Sequence, residues 1–361
     1  MLETADRAGT VSELQIEPRS ENMPARPVSR VTTGAVAVII VNYGTADLVI
    51  RSVESVLERR HGGRRVEVHV VDNASPGGDA AVLEKAHAAR GWGARGVTLY
   101  PETENHGFGR GNNVVLHKLA ARPAPPEFVF LLNSDAWLEN ETLDILARAL
   151  EAEPRAAGAG AGILGEDSDP DVCAFRFPSM TSEVTHTVGI GPVERMLKHA
   201  RVALPPDHDG PVDWVAGASV MFRFEAITEV GFFHPDYFLY FEEVDMMRQM
   251  RLKGRHMLYV TDARVTHIAG VSTHVRSGHR EQERKPAYVY DSWRIYFHRQ
   301  HGRAYALIAA FLVAGAAVVH RAVATLRQKE AGLPAHFIAD HSRYVIWPLV
   351  GGGPARGERG R

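Results

Sequence analysis

Acidic side chains recur in this sequence where apolar runs stop. Asp72 follows the run over 66–71. Asp135 follows the run over 128–132 through Asn133 and Ser134, and Glu242, Glu243 and Asp245 follow the aromatic run over 237–241. A carboxylate at the mouth of a sheet can hold a divalent cation that also grips a ligand's phosphates. One at the end of a second strand can accept the imide N–H of a uracil or thymine ring. Carboxylates at a helix start stay ionised in the field of the helix dipole, so they can accept protons or hold donors. Each also has a plainer use, because Asn, Ser and Asp cap helices and turns and acidic first turns are common. Capping alone does not explain Asn42, Asp72 and the triplet 133–135 all ending strands on one rim.

The elements that position these groups alternate. Short runs over 36–41, 66–71, 97–100 and 128–132, apolar but for Glu67, His69 and Thr98, read as strands. Helices over 45–59, 79–90 and up to about 119 separate them. This alternation predicts a parallel sheet with right-handed crossovers, whose carboxyl edge binds ligands. Between the third strand and its helix lies 105–113, with glycines at 107, 109 and 111. It reads as a loop that brings backbone close to a phosphate or sugar and opens an anion-favouring helix N-terminus. Its spacing is not GxGxxG, which disfavours a dehydrogenase.

Further on, 156–165 reads as a strand and 166–210 as a loop-rich insertion of the lid or binding type. The stretch 212–224 reads as a loop into a strand. There Trp214 offers a flat face for a sugar ring, and Gly217 and Ala218 let a ligand approach. A short helix over 224–230, a helix over 246–253 and a strand over 256–260 follow. His267 then precedes Gly270 and Ser272. A lone histidine is more often structural than a ligand, as Trp214 is as often a core aromatic as a platform.

The chain has 361 residues, room for one large domain or two modest ones. Its 41 basic and 43 acidic residues give no general pull towards nucleic acid. The single cysteine, Cys173, excludes an internal disulfide and a cysteine-based metal site, and it suits a reducing, cytoplasmic setting. Residues 1–30 lack the apolar core of a secretory signal. The segments 1–34 and 351–361 read as disordered tails. From 277 the sequence turns basic, and 304–319 is apolar without a charge. As a helix those sixteen residues would span ~24 Å, short of the roughly 30 Å of a bilayer core. They fit either a helix on an anionic membrane surface or one packed on the domain.

In this order, Asn42-Tyr43, 71–75 (VDNAS), 104–113 (ENHGFGRGNN), 131–135 (LLNSD), 214–218 (WVAGA), 240–245 (YFEEVD) and His267 resemble the family 2 glycosyltransferases, in their bacterial rhamnosyltransferase-like branch. The likeness covers roughly 36–275. It implies a GT-A type α/β fold with a mostly parallel central sheet flanked by helices. A glycosyltransferase domain over 35–275 would divide into a nucleotide-binding half (35–150) and an acceptor half (151–275), with a helical extension over 276–350. The implied activity is inverting transfer from a nucleotide-diphosphate sugar to a hydroxyl of a glycan or lipid-linked acceptor, at the inner face of the cell membrane. Carried over by position, Asp72 contacts the base, with Asn42 and Tyr43 beside it. Asn105, Gly107 and Asn113 shape the donor pocket, and Ser134 lies within the metal motif. Asp135 binds Mg²⁺ or Mn²⁺, His267 is a further ligand, and Glu243 is the catalytic base. Trp214, Gly217, Ala218 and Glu242 face sugar or acceptor.

The sequence departs from the family pattern twice: the metal motif 133–135 holds one acid, and the base position holds Glu instead of the shorter Asp. A sugar nucleotidyltransferase is the rival enzyme, but the place after its first strand lacks the expected basic, glycine-rich loop. A non-catalytic nucleotide-sugar-binding protein is the rival of another class.

Overall fold

The structure is a computed structural model that describes residues 34–189, 200–268, 283–328 and 332–351. The expected tails (apart from residues 34 and 351), part of the loop-rich insertion, Gly270 and Ser272 lie outside the described residues. In chain order the main elements are β1 (Val36–Asn42), α1 (Ala46–Leu57), β2 (Val66–Asp72), α2 (Asp79–Ala89), β3 (Val97–Pro101), α3 (Gly107–Ala120), β4 (Phe128–Asn133), β5 (Ala136–Leu138), α4 (Thr142–Ala152) and β6 (Ala156–Leu164). There follow β7 (Ala174–Phe175), α5 (Met180–Val188), β8 (Gly210–Val212), β9 (Trp214–Val215), β10 (Ser219–Arg223), α6 (Phe224–Glu229), α7 (Glu242–Leu252), β11 (His256–His267), α8 (Ala287–His301), α9 (Arg303–Leu326) and α10 (Phe337–His341).

One sheet carries the fold, in the order β3-β2-β1-β4-β10-β6-β11-β5, with β8 added on β11. The first four strands are mutually parallel, as the alternation of elements requires. β10 is antiparallel to both of its neighbours, and β11 is parallel to β6 but antiparallel to β5 and β8. β1 is buried on both faces. Val36, Val38 and Ile40 face a core shared with α1, α2 and α4, while Ala37 and Ile39 face one shared with α3, α6 and α7. Burying each such large aliphatic side chain contributes about 1.5–3 kcal/mol, which fixes the strand centrally.

Register does the positioning. Asn42 pairs with Asp72, and Val41 with Asn133, so three strands end level. Antiparallel pairing of Ser219 with Leu132 returns 217–218 to that same edge. His267 pairs with Ala136 and so arrives beside Asp135.

Three expectations need correction. The glycine stretch 105–113 is not a loop, because α3 already starts at Gly107. A Cβ on Gly109 would meet Phe233 at 3.0 Å and one on Gly111 would meet Val41 at 2.9 Å, so those two glycines let the helix pack closely. β11 runs to His267 instead of stopping at 260. The polar residues Thr261 and Asp262, which end the apolar run in sequence, sit at a register shift between Val260 and Arg264. The apolar C-terminal helix has 24 residues, ~36 Å long, because the less apolar turns to Leu326 continue it.

Candidate active site

At the ends of β1, β2 and β4, polar side chains hold one another. Asn42 Nδ2 donates to Asp72 Oδ1 at 2.8 Å and to Asp79 Oδ2 at 3.0 Å. Asn42 Oδ1 accepts from the Thr45 hydroxyl at 2.9 Å, and that hydroxyl also contacts Ser134 Oγ at 2.8 Å. Ser75 Oγ donates to Asp72 Oδ1 at 2.6 Å. Both of these bonds to Asp72 fall on Oδ1. A recess lined by Asp72, Leu83, Leu99 and Tyr100 opens beside it. Tyr43 is half-buried next to Asn42. Asp79, Ser75 and Thr45 were missed in sequence. Asp79 gives a signal only in three dimensions, where its carboxylate accepts the first amide of α1, Ala46 N–H, at 2.9 Å.

Asp135, 3% exposed, sits in the tight turn between β4 and β5. Its Oδ1 lies 3.1 Å from His267 Nε2, and Asn133 Nδ2 lies 3.2 Å from that same nitrogen. A carboxylate oxygen and an imidazole nitrogen this close share either a proton or a cation. Neighbouring ligands on one hard octahedral cation stand about 3 Å apart when each is about 2.1 Å from it, so the pair fits a divalent ion. Among the described residues no group of three or more His, Cys, Asp or Glu forms a metal cage. The protein would therefore supply two ligands and leave the others to phosphate and water, a usual arrangement for Mg²⁺-type sites.

The chain then runs across to the acidic turn. Asn133 N–H donates to Ala218 O at 2.9 Å. A Cβ on Gly217 would lie 3.2 Å from the Phe108 ring and 3.8 Å from Glu243 Cβ, so glycine here lets α3, the 217–218 turn and Glu243 meet. Asn42, Thr45 and Ser134 thus link Asp72 to the turn that holds Asp135 against His267, and strand pairing returns 217–218, close to Glu243, to the same edge.

The turn before α7 is strained. Tyr240 (φ 71°) and Phe241 (φ 67°) are consecutive aromatics in the left-handed region, each costing about 1–3 kcal/mol. Helix α7 starts at Glu242, four residues before its expected start at 246, so all three carboxylates lie in its first turn. Glu242 is 2% exposed. Glu243 is half-buried as a residue, yet its Oε2 is closed off, and neither Glu242 Oε2 nor Glu243 Oε2 has a hydrogen-bond partner among the described residues. Burial, then the Glu243 charge, pushes the Glu242 carboxyl well above the usual carboxylate range. Burial also raises Glu243, against backbone N–H donation that lowers it. A carboxyl raised above its usual range, with an oxygen that has no hydrogen-bond partner among the described residues, is suited to take a proton.

Other expected residues serve inside the protein. Asn113 donates to Phe233 O at 2.8 Å and accepts Phe233 N–H at 3.1 Å, so its amide is fully engaged in bracing 233. Asn105 Oδ1 accepts from Asn73 Nδ2 at 3.0 Å and from Gly107 N–H at 2.9 Å. Gly107 lies under Phe238, whose carbonyl a Cβ would strike at 1.8 Å. One face of Trp214 is covered by Phe175, with ring centroids 4.1 Å apart, and its N–H donates to Arg176 O. Ala218 is buried.

Comparison with known proteins points the same way. The family described as "Glycosyltransferase like family 2" matches residues 33–285. An N-acetylglucosaminyl-diphospho-decaprenol L-rhamnosyltransferase of Mycobacterium tuberculosis is 27% identical over 238 residues, 63% of this chain and 75% of its own. Rhamnosyltransferase WbbL of Escherichia coli is 26% identical over 171 residues, 45% of this chain and 61% of its own. Among solved structures, mannosyltransferase PcManGT from Pyrobaculum calidifontis, in complex with GDP-Man and Mn²⁺, superposes with TM-score 0.53 at 18% identity, covering 82% of this chain and 76% of that one. GalNAc-T7 with UDP, GalNAc and Mn²⁺ superposes with TM-score 0.54 at 12% identity, covering 89% and 58%.

Proposed function

This chain belongs to glycosyltransferase family 2, and from that premise we propose that it moves a sugar from a nucleotide diphosphate to a hydroxyl of a glycan or lipid-linked acceptor, with inversion, in one displacement. The observation that supports this reading best is Glu243: a partly buried carboxyl with an oxygen that has no hydrogen-bond partner among the described residues, on the turn that faces 217–218, which strand pairing returns to the edge where Asp135 meets His267. Glu243 takes the acceptor proton as the acceptor oxygen attacks the anomeric carbon. Its extra methylene relative to Asp sets the acceptor hydroxyl slightly further from the α7 backbone.

Asp72 Oδ2 accepts the imide N–H of a pyrimidine base, which Leu99 and Tyr100 border. Asp135 and His267 would hold a divalent cation. That ion neutralises charge on the departing diphosphate when bound. Mn²⁺ suits this mixed oxygen and nitrogen pair better than Mg²⁺. Gly217, Ala218, Trp214 and Glu242 border the acceptor side. The division into a nucleotide half over 35–150 and an acceptor half over 151–275 is part of the same proposal.

The relative named for a decaprenol-linked substrate gives a reason to place this enzyme at a membrane. Helix α9 buries Ala306, Ala309, Ala310, Val313, Ala316 and Ala317 against the protein. Its opposite side exposes Ile308 (54%), Phe311 (54%), Leu312, Val318 and Val319, and Trp347 (59%) is exposed as well. A helix with one face packed and the other apolar suits peripheral contact at the bilayer surface, here at the cytoplasmic face.

The test is Glu243→Gln assayed with a panel of nucleotide sugars and Mn²⁺. Turnover should fall about 10²–10⁴-fold while nucleotide affinity stays near normal. A variant that keeps its full rate would remove Glu243 from the role of base. Pyrophosphate release would indicate the nucleotidyltransferase reading, and binding without transfer a non-catalytic protein.

A further inference from the structure

The family match ends at 285, and α8 begins two residues later. One stripe of α8 nevertheless lies along the turn that carries Glu243. Tyr288 stacks on Tyr240 (centroids 6.2 Å apart, planes 29° apart) and leans on Phe238 at 5.3 Å. Ser292 Oγ donates to Leu239 O at 2.9 Å. Tyr296 packs on Phe241 at 5.1 Å. Gln300 Nε2 donates to Asp245 Oδ1, and Gln300 Oε1 accepts from Gln249 Nε2 at 3.2 Å. These four residues recur at every fourth position, which is one face of a helix. Their partners run in the same order along the chain, 238–240, 239, 241 and 245–249.

Two backbone bonds also hold the turn. Phe238 O accepts Phe108 N–H at 3.1 Å from α3, and Phe241 O accepts Asp245 N–H within α7. Between these bonds stand Tyr240 and Phe241, the two left-handed aromatics, and both of their rings rest on α8. Backbone in that region persists only where its surroundings over-determine it.

We propose that the α8 stripe Tyr288–Ser292–Tyr296–Gln300 is a positioning device for the catalytic base, holding the 238–241 turn and the first turn of α7 so that Glu243 meets the acceptor hydroxyl. This rests on Glu243 being the base. The stripe touches neither nucleotide nor sugar; its residues act through the turn. Relaxing it costs alignment at the reacting oxygen, where a displacement of about 1 Å can cost 10²-fold in rate.

The experiment compares Ser292→Ala and Gln300→Leu with Trp293→Phe in the full chain. Trp293 lies on the same helix but points to α5, where its N–H donates to Glu183 Oε2 at 2.8 Å. Each variant is read for kcat, donor KM, nucleoside-diphosphate affinity and Tm. Ser292→Ala and Gln300→Leu should lower kcat at least tenfold, with donor KM and nucleotide affinity within twofold of the parent. Trp293→Phe should change kcat less than threefold for an equal or larger loss of Tm. Gln300→Glu, which sets a carboxylate against Asp245, should be worse than Gln300→Leu in kcat. If kcat follows Tm alike in all the variants, α8 is scaffold and the proposal fails. Glu243→Gln, run alongside, separates the two readings: full activity there overturns the base assignment, whereas a dead Glu243→Gln with normal stripe variants overturns only the stripe.

Discussion

The two sides of this site are built in opposite ways. On the side proposed for the nucleotide, Asn42, Thr45, Asp72, Ser75, Asp79 and Ser134 hold one another through short hydrogen bonds, and the strands beneath them are parallel and in register. On the side proposed for the acceptor, the turn before α7 has two left-handed aromatics, and the first turn of α7 has two carboxyl oxygens with no partner among the described residues. The first region is pre-organised for a ligand whose shape is fixed. The second keeps unused hydrogen-bonding capacity and strain where, on the proposed reading, a proton moves. Binding and turnover should therefore separate by region when residues are replaced.

The largest break would come at the junction of the two. Asp135→Ala should lower turnover by about 10³-fold, because a metal's charge stabilisation is worth several kcal/mol, and excess Mn²⁺ should restore little of it. His267→Ala should be milder, with at least about tenfold weaker Mn²⁺ activation. Titrating Mn²⁺ against rate reads both. Asp72→Ala should weaken nucleotide binding about 10–100-fold by calorimetry, since it also leaves the Asn42 and Ser75 donors unpaired, while kcat at saturating donor stays close to the parent. An Asp72→Ala variant that lost turnover with nucleotide affinity intact would erase the contrast between the regions.

The pH dependence sharpens it further. Glu242 and Glu243 hold protons in the folded state that the unfolded chain releases at ordinary carboxylate pH. Their contribution therefore favours folding at acid pH and is lost as pH rises through the raised folded values. Glu242→Gln, neutral at every pH, should raise Tm at pH 8 and lose that advantage towards pH 4. The acid limb of kcat should likewise lie above the ordinary carboxylate range. The smallest effect belongs to Asn113→Ala. Its two hydrogen bonds to Phe233 brace one loop, so it should cost about 1–3 kcal/mol of stability with little change in nucleotide affinity.

Much of the nucleotide side was legible in sequence because its logic is local. Five or six apolar residues followed by Asn or Asp mark a buried parallel strand and its functional end, and the structure places Asn42, Asp72 and Asp135 accordingly. The sequence misled where one residue type has two uses. The glycines of α3 read as a phosphate loop, but Gly109 and Gly111 make room for Phe233 and Val41. β11 was cut short because a register shift places Thr261 and Asp262 inside a strand. The acceptor side was the least legible. Ser292 and Gln300 find their partners 53 and 55 residues away, and neither carries a local pattern. Only the packing of α8 on the turn shows which of its faces matters.

Gly302 alone separates α8 from α9, at φ 82° and ψ 167°. Only glycine takes up that backbone geometry readily, and no neighbouring atom lies within 4 Å of a Cβ placed there. The corner is thus set by backbone torsion instead of by crowding. Any larger side chain at this corner would re-aim the following helix and, through it, the plane in which Phe311 and Leu312 lie. For anyone building hybrids from this enzyme, the two helices are one unit of exchange. A graft joined at 302 would bring in a foreign bend, whereas one joined ahead of Ala287 would carry the corner, the stripe and the outer face across together.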